Sequence, residues 1–131
     1  MTKWSFEIPG QPPSVNNMYV QTILRRGVNA PPIRSMKKDE RVAAYQVAAT
    51  FIARSSRPRG WKPTGEQIRL TYDFSLQRDA DADNLLKALN DAIAYALGVN
   101  DKVFLPCVRS KVVDGKNKEP CVVVEVDDGM V

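Results

Sequence analysis

Three carboxylates at alternate positions, Asp79, Asp81 and Asp83, are followed four residues later by Lys87. Alternate side chains of an extended segment point the same way, so all three carboxylates can converge. Converged carboxylates repel one another unless a cation or a proton relieves them. The chain holds no histidine. Hydrolytic chemistry at this run would therefore use carboxylates, lysine and metal-bound water rather than imidazole.

Four readings of the run compete. In the structural one, Asp83 caps a helix and the other aspartates are solvated, which leaves unexplained why three like charges alternate. In the second, Asp79, Asp81 and Asp83 open a calcium loop of the EF-hand type. That motif needs glycine at its sixth position and glutamate at its twelfth, and this chain has Asn84 and Asn90, so it is rejected. In the third, the carboxylates hold Mg²⁺ or Mn²⁺, since hard cations prefer carboxylate oxygen. Lys87 could then neutralise charge on a phosphodiester; its bland alternative is an ion pair with Asp83 or Asp91 worth a few tenths of a kcal/mol. Asp101 follows the next helix by a short turn and is expected to fold back toward the site. In the fourth, the chain binds nucleic acid without catalysis. Clustered aspartates would then repel phosphate unless a metal bridged them, and metal with nucleic acid points to a nuclease.

Charge is divided along the chain. Residues 1–78 hold 13 Lys/Arg against 5 Asp/Glu, a balance of +8, and residues 79–131 hold 6 against 10, a balance of −4. A basic first half suits a polyanion, and an acidic second half suits a cation. With 131 residues, 44% of them hydrophobic and 26% charged, the composition fits one globular domain over 1–131. No apolar run approaches the roughly 20 residues of a membrane span, and Met1-Thr2-Lys3-Trp4 does not begin a signal peptide. Cys107 and Cys121 make no disulfide framework and are expected to be small buried residues. A cytoplasmic location is expected.

The elements that must position these residues follow from periodicity. Trp4–Ile8 alternates as a strand, stopped by Pro9-Gly10-Gln11-Pro12-Pro13. Residues 14–33 read as a long polar, flexible loop, of the kind that is usually functional or disordered. Ser35 to about Ser55 reads as a helix, with Val42, Tyr45, Ala49 and Ile52 at helical spacing. Arg34, Lys37, Lys38 and Arg41 would give its start a basic character opposed to the helix dipole. A basic connector with Arg57, Arg59 and Lys62 leads to a strand over 67–76, with Ile68, Leu70, Tyr72 and Phe74 on one face. A second helix spans about Asn84–Leu97, with Leu85, Leu89, Ala92, Ile93 and Ala96 as its apolar stripe. Asp83 is placed as its N-cap and Gly98 as its stop. Strands over about 103–113 and 121–126 follow, joined as a hairpin through 114–120. The expected fold is α+β, of order β-α-β-α-β-β, a mixed sheet with two helices packed on it. Val122, Val124 and Val126 and the first strand are candidates for a subunit interface, though a monomer core is their simpler use.

Asp81-Ala82-Asp83-Asn84-Leu85-Leu86-Lys87, Asn90-Asp91-Ala92-Ile93 and Asn100-Asp101-Lys102-Val103, with Pro12-Pro13-Ser14-Val15-Asn16 near the start, resemble the RusA family of Holliday junction resolvases. The likeness covers nearly the whole chain in the same order. It implies a Mg²⁺-dependent crossover junction endodeoxyribonuclease, a homodimer that resolves branched DNA by paired symmetric nicks leaving 5′-phosphate and 3′-hydroxyl ends. Such proteins are encoded by bacteria, often in prophages, and by phages, so recombination, repair or phage DNA processing is the implied setting. By position, Asp81, Asp83 and Asp101 would hold the metal and Lys87 would be catalytic. Asp91 matches a more structural position, and Lys111 a recurrent lysine. Asn100 stands where the family often has a further aspartate, and Asp79 is an additional carboxylate. Arg25, Arg26, Arg34, Lys37, Lys38, Arg57, Arg59, Lys62 and Lys111 are the candidate DNA contacts. The rival expectation is a junction- or single-strand-binding accessory protein without catalysis.

Overall fold

The computed structural model describes residues 2–14, 19–24, 33–38 and 40–129, with the backbone alone for 19–24 and 33–38. Strands β1 (Lys3–Pro9), β2 (Tyr19–Leu24) and β3 (Ile33–Lys38) precede helix α1 (Glu40–Ser56). Strand β4 (Ile68–Leu76), helix α2 (Ala82–Leu97), a 3₁₀ turn (Asp101–Val103), β5 (Phe104–Val113) and β6 (Cys121–Asp127) follow. Four strands form a mixed sheet in the order β1-β6-β4-β5, and β2 and β3 form a separate antiparallel ribbon. Apart from that ribbon, the order is the expected β-α-β-α-β-β of an α+β domain.

Alternation builds one core. Phe6 and Ile8 of β1, Ile68 through Leu76 at every second position of β4, and Val122, Val124 and Val126 of β6 are buried in one cluster with both helices. The opposite sheet face is polar. There Arg109 pairs with Asp73, which also accepts from the Ser110 hydroxyl (2.8 Å), while Lys3 and Arg109 lie 3.5 and 3.8 Å from Glu125. The valines expected as interface candidates are thus core residues.

Helix α2 forms as its stripe predicts: Leu85, Leu89, Ala92, Ile93 and Ala96 are buried. Gly98 ends it at φ 70°, a left-handed conformation that glycine adopts without Cβ strain. Val99 N–H then bonds the Ala94 carbonyl (3.1 Å). Alanines 49 and 53 let α1 approach closely. The Gln46 amide donates to the Ala88 carbonyl (3.2 Å), the Thr50 hydroxyl lies 3.4 Å from the Ala92 carbonyl, and Arg54 sits 5.6 Å above the Tyr95 ring. These contacts rise together in both helices, so α1 and α2 run parallel and begin at the same end of the sheet.

Five expectations are corrected. The loop expected over 14–33 contains β2, and the helix expected from Ser35 begins at Glu40. Arg34, Lys37 and Lys38 therefore lie on β3, which pairs Ile33–Lys38 against Tyr19–Leu24. A cross-strand partner decides the conformation there, and the helical period starts only at Val42. The first turn of α1 carries Glu40, which suits the positive helix end. β5 and β6 are not a hairpin: β4 lies between them, parallel to β5 and antiparallel to β6. β6 is apolar on its inner face and pairs on both sides, and the βαβ crossover sends β5 to the edge. Cys107 is consequently exposed and Cys121 half-buried, on strands separated by β4. Finally, α2 begins at Ala82 with Asp81, not Asp83, as its N-cap.

Candidate functional site

The acidic run occupies the corner where β4 ends and α2 begins. Gln11 fastens the N-terminal segment to it. Its amide donates to the Arg78 carbonyl (3.0 Å), and its Oε1 accepts the Gln77 N–H (2.9 Å). This brings Pro12-Pro13-Ser14 against Arg78–Ala80, although some 65 residues of chain separate them. Together with the first turns of α1 they enclose a groove of about 350 Å³, lined also by Arg41, Tyr45 and Leu85. Because α1 and α2 are parallel, both of their N-terminal ends converge here. Each carries roughly half a positive charge.

Within the corner the carboxylates differ in their surroundings. Asp79 accepts from Lys111 Nζ (3.0 Å), which also reaches the Ala80 carbonyl (3.1 Å). The Lys111 hydrogen bond and charge hold the Asp79 carboxyl below the usual carboxylate range. Asp81 is extended (φ −62°, ψ 132°) and makes no side-chain capping bond. Its carboxylate is exposed at the helix entrance. Asp83 is exposed in the first turn of α2. The extended alternation therefore ends at Asp81. Relief of the like charges comes from Lys111 and the two helix ends.

Lys87 lies one turn beyond Asp83 and pairs with Asp91 (3.1 Å), so Asp91 serves partly as its anchor. Asn90 is structural: its Oδ1 accepts from the buried Tyr72 hydroxyl (2.5 Å). The Tyr45 hydroxyl is buried with no hydrogen-bond partner among the described residues. Burial disfavours its phenolate, as it does that of Tyr72, and raises both pKa values well above the ordinary phenol value.

Asp101 is not brought to this corner within the chain. It opens the 3₁₀ turn after α2, where the Asn100 side chain accepts the Lys102 N–H (3.0 Å). A 16-residue helix is about 24 Å long, so α2 carries Asp101 to the opposite end of the sheet. Phe104, three residues on, pairs with Ile68 at the start of β4. Among the described residues no three His, Cys, Asp or Glu side chains group as a metal site. Arg57, Arg59 and Lys62 are exposed at that same far end, where α1 stops and Trp61 packs on Trp4. Arg25 and Arg26 lie outside the described residues. For Arg34, Lys37 and Lys38 only the backbone of β3 is described.

Two contributors escaped sequence reasoning, Gln11 and Arg78, whereas Arg41 is among the basic residues expected at the start of the first helix. Arg78 directly precedes the run, and Gln11 adjoins Pro12-Pro13, so adjacency was the available signal. A second groove, about 580 Å³, runs between the outer faces of α1 and α2 around Asp91. Val47, Phe51 and Tyr95 flank it, 70–74% exposed. No protein-family model matches the chain, and no curated protein matches it.

Proposed function

We propose that this chain is a Mg²⁺-dependent, structure-selective endodeoxyribonuclease that nicks four-way DNA junctions. The observation that carries the reading is the corner itself. Asp81 and Asp83 are exposed at the joined N-terminal ends of two parallel helices, with Lys111 and Lys87 close by. The donor set suits Mg²⁺, which is usually held by one or two carboxylates with water and substrate phosphate completing its shell. When bound, Mg²⁺ supplies Lewis-acid polarisation of the phosphodiester and an acidified water.

The chain's own residues divide the remaining work. Asp81 and Asp83 hold the metal. Lys111 neutralises Asp79, which lowers the repulsion that a DNA phosphate meets. The two helix ends favour the same approach. Lys87, anchored by Asp91, stabilises charge on the leaving oxygen.

Asp101 joins such a site only from a second copy. If α2 packed antiparallel against its counterpart, with the two-fold axis at Asp91, Asp81 would lie about level with the partner's Asp101. Both are ten residues from that centre. The exposed apolar groove of Val47, Phe51 and Tyr95 surrounds the same point, and exposed apolar patches of this kind mark interaction surfaces. The homodimer therefore forms through this face, and its symmetry matches a junction with two equivalent strands.

The rival reading, a junction-binding accessory protein without catalysis, is favoured by the distance of Asp101 if the chain acts alone. Cleavage of a synthetic four-way junction in Mg²⁺ and in EDTA separates the two. Tight binding without cutting would favour the rival.

A further inference from the structure

The groove beside the acidic corner has two kinds of wall. Pro12 and Pro13 form an apolar side, and buried Leu85 contributes to the lining. Arg41, from the first turn of α1, and Arg78, on the corner, are the basic residues of its lining, and Asp79, neutralised by Lys111, lines it too. Gln11 ties the Pro12-Pro13 segment to residues 77 and 78 by the two hydrogen bonds given above, so the opposing walls are held at fixed separation. The volume, about 350 Å³, falls at the small end of ligand sites, about 300–1,000 Å³.

An inorganic anion would leave the apolar wall unused, and a duplex would not enter a groove of this size. Apolar surface with adjoining guanidinium groups suits a single unpaired nucleotide, whose base packs on the apolar side while arginine meets phosphate.

We propose that this groove receives one unpaired DNA nucleotide next to the cut phosphate, its base against Pro12-Pro13 and its phosphates on Arg41 and Arg78. The inference rests on the nuclease reading for the position of the cut, though not for the binding. It gives structure selectivity a source: a paired base must leave its stack to enter, whereas a base at a branch point or bulge is already free to do so.

The test measures binding in EDTA, where cutting does not intervene. The probes are a duplex with one unpaired 2-aminopurine nucleotide and the same sequence fully paired. The wild-type chain is expected to prefer the first by about tenfold, toward the low end of what one stacked base contributes. Ala80→Phe fills the groove, and Arg78→Ala removes a guanidinium. Each should bring the preference close to one while circular dichroism stays that of the wild type. Should Ala80→Phe fail to fold, Arg78→Ala decides alone. Equal wild-type binding to both probes, or a tenfold preference retained by the folded variants, would overturn the assignment. If the preference and its loss are seen but no junction is cut in Mg²⁺, the nuclease reading fails and the groove assignment stands.

Discussion

Asp81→Asn separates the catalytic account from helix capping most sharply. An N-cap side chain that bonds the first helical N–H groups contributes about 0.5–2 kcal/mol. Asp81 makes no such bond, and asparagine is as good a cap residue as aspartate. What remains is the interaction of a charge with the helix end, about 0.3–1 kcal/mol. The variant should therefore lose less than about 1 kcal/mol and melt within about 5 °C of the wild type. Cleavage should fall far more. Loss of a residue that merely supports a metal ligand already costs about 10–100-fold, so loss of a ligand should exceed about 100-fold. Junction binding in EDTA should be equal or tighter, because one negative charge facing phosphate is removed. The assay is nicking rate, dissociation constant and melting temperature on one preparation. A loss above about 2 kcal/mol with a parallel loss of binding would make Asp81 a cap and refute the reasoning. An unchanged nicking rate would remove it from the site.

Lys87→Ala should lower turnover more than junction affinity, and should cost only a few tenths of a kcal/mol through its pair with Asp91; an unaltered rate would exclude Lys87 from the mechanism. Mixing Asp81→Asn and Asp101→Asn chains should restore nicking, because a shared site leaves one of the two centres in each mixed dimer intact, whereas a mixture as inactive as its components would place each site within one chain. The Arg109 hydrogen bond holds the Asp73 carboxyl below its ordinary value, so that pair stabilises the fold above about pH 4 and loses its effect as pH falls through the folded value. Asp73→Asn should accordingly lower the urea midpoint at pH 7 and approach the wild type near pH 3; an equal deficit at both pH values would contradict this. Leu89→Ala, at a fully buried position of α2, should cost about 2–5 kcal/mol, read by denaturant unfolding; a loss below about 1 kcal/mol would mean that the core repacks around the cavity.

What the sequence made legible was whatever depends on local period. The stripe from Leu85 to Ala96 and the alternation of β4 each bury one face, and a strict period is enough to reveal that. Ile33–Lys38 escaped because its strand is decided by pairing with Tyr19–Leu24, a partner that no local pattern announces. Likewise, adjacency in sequence suggested a β5–β6 hairpin, but strand order is settled by which surfaces need cover, and β6 with its buried valines takes the place between β1 and β4. At the site, the carboxylates and Lys87 could be read from spacing. The meeting of Lys111 with Asp79 depends on β5 lying beside β4, and the clamp of Gln11 depends on the chain returning to its own beginning. Asp101 was expected to fold back because its turn is short, yet the helix before that turn is rigid and about 24 Å long.

The central claim is metal-dependent cutting of branched DNA, and a synthetic four-way junction beside a linear duplex of matched sequence tests it directly. With Mg²⁺ the junction should acquire paired, symmetric nicks bearing 5′-phosphate ends, EDTA should abolish them, and the linear duplex should stay intact. Equal cutting of the duplex would contradict junction selectivity, and an uncut junction bound tightly in Mg²⁺ would contradict the nuclease.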